Sequence, residues 1–293
     1  MLLVLALGAA GYYFYENIPG KPEIFNVTLW NNSQSEENVS YGDTPLFYKN
    51  IRFNHNNLSY SFSGCSSKRM DSIKSSMDAI AEKTLLSFYE INNGADIDIS
   101  CDSGTSAENE DAGKGGPKNL VDTGIYLVIV SGNITLYDVA SCNNNVELHE
   151  ILHVLGFNHS QDPENIMYPI SGCRRFLKQD IINTLNRLYG IKPLPDLFFD
   201  GLSAVRKGRY IDFTAEIRNQ GIINSGNFAL SLIAENDVQK FDFDSIGFGA
   251  GSLLNVTNAL LPNNDVREIR FVIDYDNAVE EYSKENNKAD LSI

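Results

Sequence analysis

Residues 149–159 read HEILHVLGFNH, and no other stretch restricts the fold as tightly. The chain has four histidines, and three of them fall here, at spacings of four and six. On a helix, His149 and His153 share one face a turn apart, so their imidazoles project together. Gly156 can take the left-handed conformation that ends a helix and swings the chain round, which brings His159 in as a third donor. Three imidazole nitrogens leave one tetrahedral position for water, the pattern of a catalytic zinc site rather than a closed structural one. The spacing H-E-x-x-H-x-x-G-x-x-H thus implies His149, His153 and His159 as ligands of one Zn²⁺, with Glu150 beside it as general base. An amphipathic core helix would account for Ile151, Leu152, Val154 and Leu155, and for one stray histidine, but not for the whole pattern. His55, in the polar run FNHNN, is expected at the surface.

The rest of the chain sets the context. A length of 293 residues suffices for two ordinary domains. The net charge of −15, without a long basic run, argues against a nucleic-acid surface, where Lys and Arg must neutralise phosphates. Residues 1–18 open with an uncharged apolar run followed by Tyr12, Tyr13, Phe14 and Tyr15. The segment is expected to act as a retained signal anchor or a cleaved signal peptide, placing the remainder outside the cytoplasm, tethered to the membrane at the cell surface or secreted. Four cysteines agree with an oxidising compartment and suggest two disulfides. Seven N-x-S/T sequons point weakly the same way.

Periodicity divides the chain further. Residues 19–43 are polar and form a stalk. A domain over 44–192 follows. LSYSF (58–62) predicts a strand, and apolar residues at 70, 73, 77 and 80 predict a helix. LLSFYEI (85–91) and ADIDISC (95–101) predict strands, and CDSGTSAENEDAGKGGPKN a long loop. GIYLVIV (124–130) and NITLYDV (133–139) predict two strands joined by a tight turn at Ser131-Gly132. A last helix spans about 177–189, closed by Gly190. IKPLP is a stiff linker. Residues 196–293 alternate in short apolar runs divided by turn signals, the texture of an all-β sandwich.

The histidine motif, with Met167 in NIMYP eight residues after His159, is similar to that of the metzincins, in which a methionine floors the metal site. Ser160, Met167-Tyr168-Pro169 and the closing helix KQDIINTLNRLYG narrow the resemblance to the matrixin branch, and the strand–helix–strand–strand opening agrees. The resemblance covers roughly residues 40–190. It implies an α+β metzincin catalytic domain, a five-stranded twisted mixed sheet with three helices, followed by the all-β sandwich. It also implies a zinc endopeptidase acting on a peptide or protein substrate that is laid along the sheet edge. By chain order that edge is GIYLVIV, giving Gly124, Ile125, Tyr126 and Leu127 as substrate contacts, with Tyr168, Pro169 and Ile170 walling a side pocket. From the strand order of matrixins, Cys65–Cys101 and Cys142–Cys173 are the expected disulfides. No PRCG-type propeptide motif or second-zinc histidine set is present, and the tight hairpin leaves no room for calcium-binding insertions.

PDL (195–197), IRNQG (217–221) and FVIDYDNAVEEYSKENNKADL (271–291) resemble a CARDB-type module, an immunoglobulin-like sandwich of surface proteins. That implies contacts with other surface proteins. Asp274, Asp276, Glu280, Glu281 and Glu285 could bind calcium, but a solvated acidic edge is the expected reading. Two other functions stay open: an adhesion protein with a vestigial zinc site, and a zinc hydrolase of a non-peptide bond.

Overall fold

The computed structural model describes residues 24–25, 39–40, 42–102, 112–137, 144–170 and 172–292. The segment 1–18, most of the 19–43 stalk and Cys142 lie outside the described residues. The chain forms two compact units, one of Leu29–Leu194 with Gly221–Ile223, the other of Met1–Thr28, Pro195–Gln220 and Asn224–Ile293. Strand β1 (Ile24–Phe25) belongs to the second unit.

The first unit runs β2 (Val39–Ser40), β3 (Pro45–Leu46), β4 (Ile51–Phe53), β5 (Asn57–Ser63), α1 (Ser67–Ala81), β6 (Ser87–Glu90), β7 (Ile97–Asp102), β8 (Gly113–Asp122), β9 (Leu127–Tyr137), α2 (Asn145–Val154) and α3 (Gln179–Tyr189). The Ser66 hydroxyl caps α1 by accepting from Arg69 N–H, and Ile73, Met77 and Ile80 form its buried stripe. The sheet is mixed. β5 pairs in parallel with β6 and β7, β7 in parallel with β9, and β8 antiparallel to β9. Short β4 adds a parallel contact to β9, one strand more than the five expected. The fold is α+β.

Two expectations about this sheet need correction. Ser131 and Gly132 do not form a turn. They lie inside β9, an eleven-residue strand that unites the two segments expected as a hairpin. The turn is at 123–126, where Thr123 N–H donates to Tyr126 O at 2.9 Å and Gly124 has φ +93°. The glycine at 132 has a packing cause: a Cβ there would sit 2.5 Å from Val154 Cγ1, so its absence lets α2 lie close on the strand. The second correction concerns GKGGPKN, expected as loop. It is most of β8.

Helix α3 ends against a buried arginine. Arg52, fully buried, donates through Nη1 to Leu188 O and Ile191 O, and its guanidinium lies 4.7 Å from the Tyr189 ring centroid. Carbonyls that a helix C-terminus leaves unpaired are satisfied by this side chain. Tyr189, its hydroxyl accepting from Phe53 N–H, has a pKa pushed up to about 12 by burial.

The second unit packs two four-stranded antiparallel sheets, β1-β14-β11-β10 and β13-β12-β15-β16. The strands are β10 (Leu197–Lys207), β11 (Tyr210–Asn219), β12 (Phe228–Ala234), β13 (Asp237–Phe243), β14 (Gly251–Leu260), β15 (Glu268–Ile273) and β16 (Lys288–Ser292). Inward alternation along β11 buries Ile211, Phe213, Ala215 and Ile217, and Phe213 meets Phe271 with ring centroids 4.9 Å apart. The acidic cluster of this unit already has its cation. Lys284 Nζ lies 2.6 Å from Asp274 Oδ2 and 3.4 Å from Glu281 Oε1. Asp274 also accepts from the N–H groups of Ala278 and Val279, and Glu281 from Leu197 N–H and Asn287 Nδ2. Asp276 pairs with Lys240 at 2.6 Å. These carboxylates are partnered within the chain, and no calcium site is assigned to them.

Candidate metal centre

Helix α2 carries His149, Glu150 and His153, and its end places the third histidine. Gly156 has φ +99°, its N–H donates to His153 O, and Phe157 N–H donates to Leu152 O. This is a Schellman closure, with Leu152 and Phe157 both fully buried as its apolar contact. Gly156 is required twice over, because a Cβ there would meet Ile51 Cγ2 at 2.5 Å. Beyond the turn, Phe47 N–H donates to Gly156 O and Asn158 N–H to Pro45 O, so β3 braces the segment that delivers His159.

The three imidazoles converge. Among the described residues, His149, His153 and His159 form the one group of potential metal ligands, with donor atoms all within 4.8 Å of one another. His149 Nδ1 is 2.7 Å from Ile166 O, and His153 Nδ1 is 2.8 Å from Phe157 O. A carbonyl only accepts, so each Nδ1 carries the proton and each Nε2 keeps its lone pair for a metal. His153 Nε2 lies 3.2 Å from His159 Nε2, a close approach of two donors that suits a shared cation. Burial first, then the neighbouring His149, pushes the His153 pKa down to about 3, and burial also lowers those of His149 and His159. The ring nitrogens are therefore neutral near pH 7, the form that ligates. The donor set fits Zn²⁺.

Met167 is completely buried in the turn after the histidines. Ser160 N–H donates to Met167 O, and Met167 N–H to Asn165 Oδ1. Asn165, itself fully buried, donates to Thr44 Oγ1 at 2.6 Å. Sequence reasoning missed Asn165, since an asparagine in NIMYP looks like ordinary turn chemistry. Asn145, which donates to Gly172 O at 2.7 Å, was missed for the same reason. Glu147, buried in the first turn of α2, forms an ion pair with Arg69 at 3.3 Å and anchors the helix to α1.

The cleft over the histidines is lined on one side by Ala112, Gly113, Lys114 and Gly115, and on the other by Ile166, Pro169, Ile170 and Arg175. Glu150 is buried beneath β8. A Cβ on Gly113 would meet Glu150 Oε1 at 3.1 Å, and one on Gly115 would collide with the Glu150 carbonyl oxygen. Of the expected substrate contacts, Pro169 and Ile170 line the cleft, and Tyr168 lies beneath the Arg175 guanidinium. Gly124, Ile125 and Tyr126 do not. They form the turn between β8 and β9, and Leu127 starts β9. The strand bordering the cleft is β8, which among the described residues pairs only with β9.

Cys65 and Cys101 are joined, with S–S 1.99 Å and Cα atoms 4.8 Å apart, at matching ends of the parallel neighbours β5 and β7. Cys173 is also disulfide-bonded.

The Matrixin family model matches residues 52–190, and the CARDB family model matches residues 194–290. Metalloendoproteinase 1 of Glycine max is 41% identical over 70 residues, which are 22% of this chain and 23% of that protein. The matched stretch thus spans about a quarter of that relative's length. Among solved structures, a domain of a cell surface protein from Methanosarcina acetivorans is 25% identical, covering 34% of this chain and 90% of that one, with a TM-score of 0.30. High choriolytic enzyme 1, a hatching-enzyme zinc-protease from Oryzias latipes, is 16% identical, covering 47% of this chain and 90% of that one, with a TM-score of 0.34. The two family matches thus divide the chain into a matrixin domain over residues 52–190 and a CARDB domain over residues 194–290.

Proposed function

We propose that this protein is an extracytoplasmic zinc-dependent endopeptidase. The observation that carries the reading is the convergence of three neutral imidazoles, two with Nδ1 committed to backbone carbonyls, in a cleft that also contains Glu150. His149, His153 and His159 hold the metal. A zinc ion held there would supply Lewis-acid polarisation of the scissile carbonyl and a water of lowered pKa. Glu150 accepts a proton from the attacking water and returns it to the leaving amine nitrogen. The substrate backbone pairs with the open edge of β8 as an added antiparallel strand, which accepts many sequences because main-chain groups do the bonding. Glycines at 113 and 115 serve this arrangement, because they let β8 lie close on α2. Met167 forms the apolar floor.

The Glycine max relative is by name a metalloendoproteinase, which agrees with this reading. The Cys65–Cys101 bridge suits an oxidising compartment. Among the described residues no helix is long and apolar enough to cross a membrane, and the proposed anchor at 1–18 falls outside them. The CARDB domain is the proposed contact with other surface proteins.

The test is digestion of a mixed peptide library by the purified protein, with and without a zinc chelator. Chelation should abolish cleavage. Glu150→Gln should retain zinc, since the imidazoles do the ligating, and lose turnover by about 10²- to 10⁴-fold. A Gln variant that cleaves near the wild-type rate with zinc in place would overturn the mechanism.

A further inference from the structure

The cleft carries two cations that the reaction itself does not use. Its lining includes two cations, Lys114 and Arg175, and one carboxylate, Glu150, in a protein whose net charge is −15. Arg175 is fixed in place. Its guanidinium lies 4.6 Å from the Tyr168 ring centroid, and its Nε donates to Ile170 O at 3.2 Å. Among the described residues no carboxylate is within ion-pair distance of Arg175. The nearby Asp162 is engaged by Lys178 at 3.2 Å. The side chain is half-buried, with the edge bearing its two Nη groups uncommitted.

A guanidinium stacked on an aromatic face and pinned through Nε is ready to receive a carboxylate in a bidentate pair, at little further entropic cost. Pro169 and Ile170 give the same wall its apolar surface. We infer that Arg175 is a specificity-determining residue, selecting substrates that place a carboxylate on the cleft wall formed by Pro169, Ile170 and Arg175. The inference rests on the endopeptidase reading above. The carboxylate could belong to an Asp or Glu side chain, or to the C-terminus of a short peptide.

The experiment measures kcat and KM of the zinc-loaded protein on matched peptides. They carry Asp, Glu, Asn, Gln or Lys at each position flanking the scissile bond, and each is made with a free and with an amidated C-terminus. At one position Asp or Glu should exceed its amide counterpart by at least tenfold in kcat/KM, and Lys should be the poorest. Arg175→Ala should erase that ratio, Arg175→Glu should invert it towards Lys, and Arg175→Lys should keep part of it. The change should fall mainly on KM if the pair forms equally in ground and transition states. A preference that follows the free C-terminus rather than the side chain assigns the terminal carboxylate as the ligand. If peptides are cut but the acid-to-amide ratio is near one, or survives Arg175→Glu, the inference is overturned while the endopeptidase reading stands. If zinc-loaded wild-type protein cuts no peptide, both fall.

Discussion

Two clusters of metal-ligating residue types stand among the described residues, and they differ in whether a cation of the chain already fills them. In the matrixin domain His149, His153 and His159 bring their donor atoms within 4.8 Å with no internal cation among them. In the CARDB domain Asp274 and Glu281 are as buried and more strongly charged, yet the Lys284 ammonium lies between them and backbone N–H groups take further lone pairs. Counting ligand types along the sequence rates the acidic cluster highly. Counting the lone pairs left after internal bonds does not. An imidazole has two nitrogens, so a carbonyl can fix one and leave the other, whereas a carboxylate that accepts from lysine and main chain is spent.

The largest effect should follow from removing a histidine. His153→Ala deletes one of three donors, and zinc affinity and peptidase activity should both vanish, with turnover down at least 10⁴-fold. Zinc should raise the unfolding temperature of the wild-type matrixin domain by mass action and leave that of the variant unchanged. Calcium should shift neither transition of the wild-type protein. A calcium-dependent rise in the CARDB transition would break the comparison.

The convergence of the three histidines was legible in the sequence because their spacing is local: one helix and one turn place all three donors. The wall facing it was not. β8 reads GKGGPKNLVD, and its glycines look like loop because the usual strand signal is a side chain that packs on a pleated surface. Here the constraint is the reverse, the absence of a Cβ where Gly113 and Gly115 pass over Glu150. Sequence alone cannot tell a glycine that turns the chain from one that admits a neighbour, and Gly132 misled in the same way. The buried Arg52 was equally silent, since its Nη1 donates to Leu188 O and Ile191 O, far away along the chain. This distinction has a consequence. Gly115→Val should push β8 off α2 and lower kcat/KM by about 10- to 100-fold, an effect typical of a misplacement of about 1 Å. Zinc content should be unchanged. Unchanged activity would show that β8 tolerates displacement and that its fit over α2 does not govern the cleft.

A smaller effect is expected in the acidic cluster. Lys284→Met leaves two buried carboxylates without their ammonium. The CARDB domain should lose roughly 1–3 kcal/mol, below the usual cost of breaking a buried pair because Lys284 is a third exposed. Millimolar calcium should then restore part of the loss in the variant alone. Thermal unfolding with and without calcium measures this, and an unaltered variant would mean that Lys284 is not what satisfies the cluster.

The smallest effect concerns the fourth histidine, which tests the same rule on a single residue. His55 Nε2 lies 3.4 Å from Asp96 Oδ1, and Asp96 Oδ2 accepts from both Ser59 N–H and Ser59 Oγ at 2.7 Å. The hydrogen bond to Asp96 raises the His55 pKa above its ordinary value, against the opposing effect of burial. For Asp96, burial acts upward but is outweighed by the hydrogen bonds from His55 and Ser59, so its pKa is lowered. The signs set a window. A raised histidine pKa stabilises fully below its ordinary value, near 6.5, and that contribution disappears as pH rises through the folded value. A lowered aspartate pKa stabilises above its ordinary value, near 3.9, and is lost as pH falls through the folded value. The pair therefore stabilises the domain most between about pH 4 and 6.5. His55 is 41% exposed at its side chain, so the effect should stay below about 1 kcal/mol. His55→Gln should lower the unfolding temperature at pH 5.5 and have little effect at pH 8.5. Zinc content should equal that of wild type at both, because the His55 nitrogen is spent on a carboxylate. A variant that loses zinc, or whose destabilisation grows with pH, would mean that His55 does more than pair with Asp96.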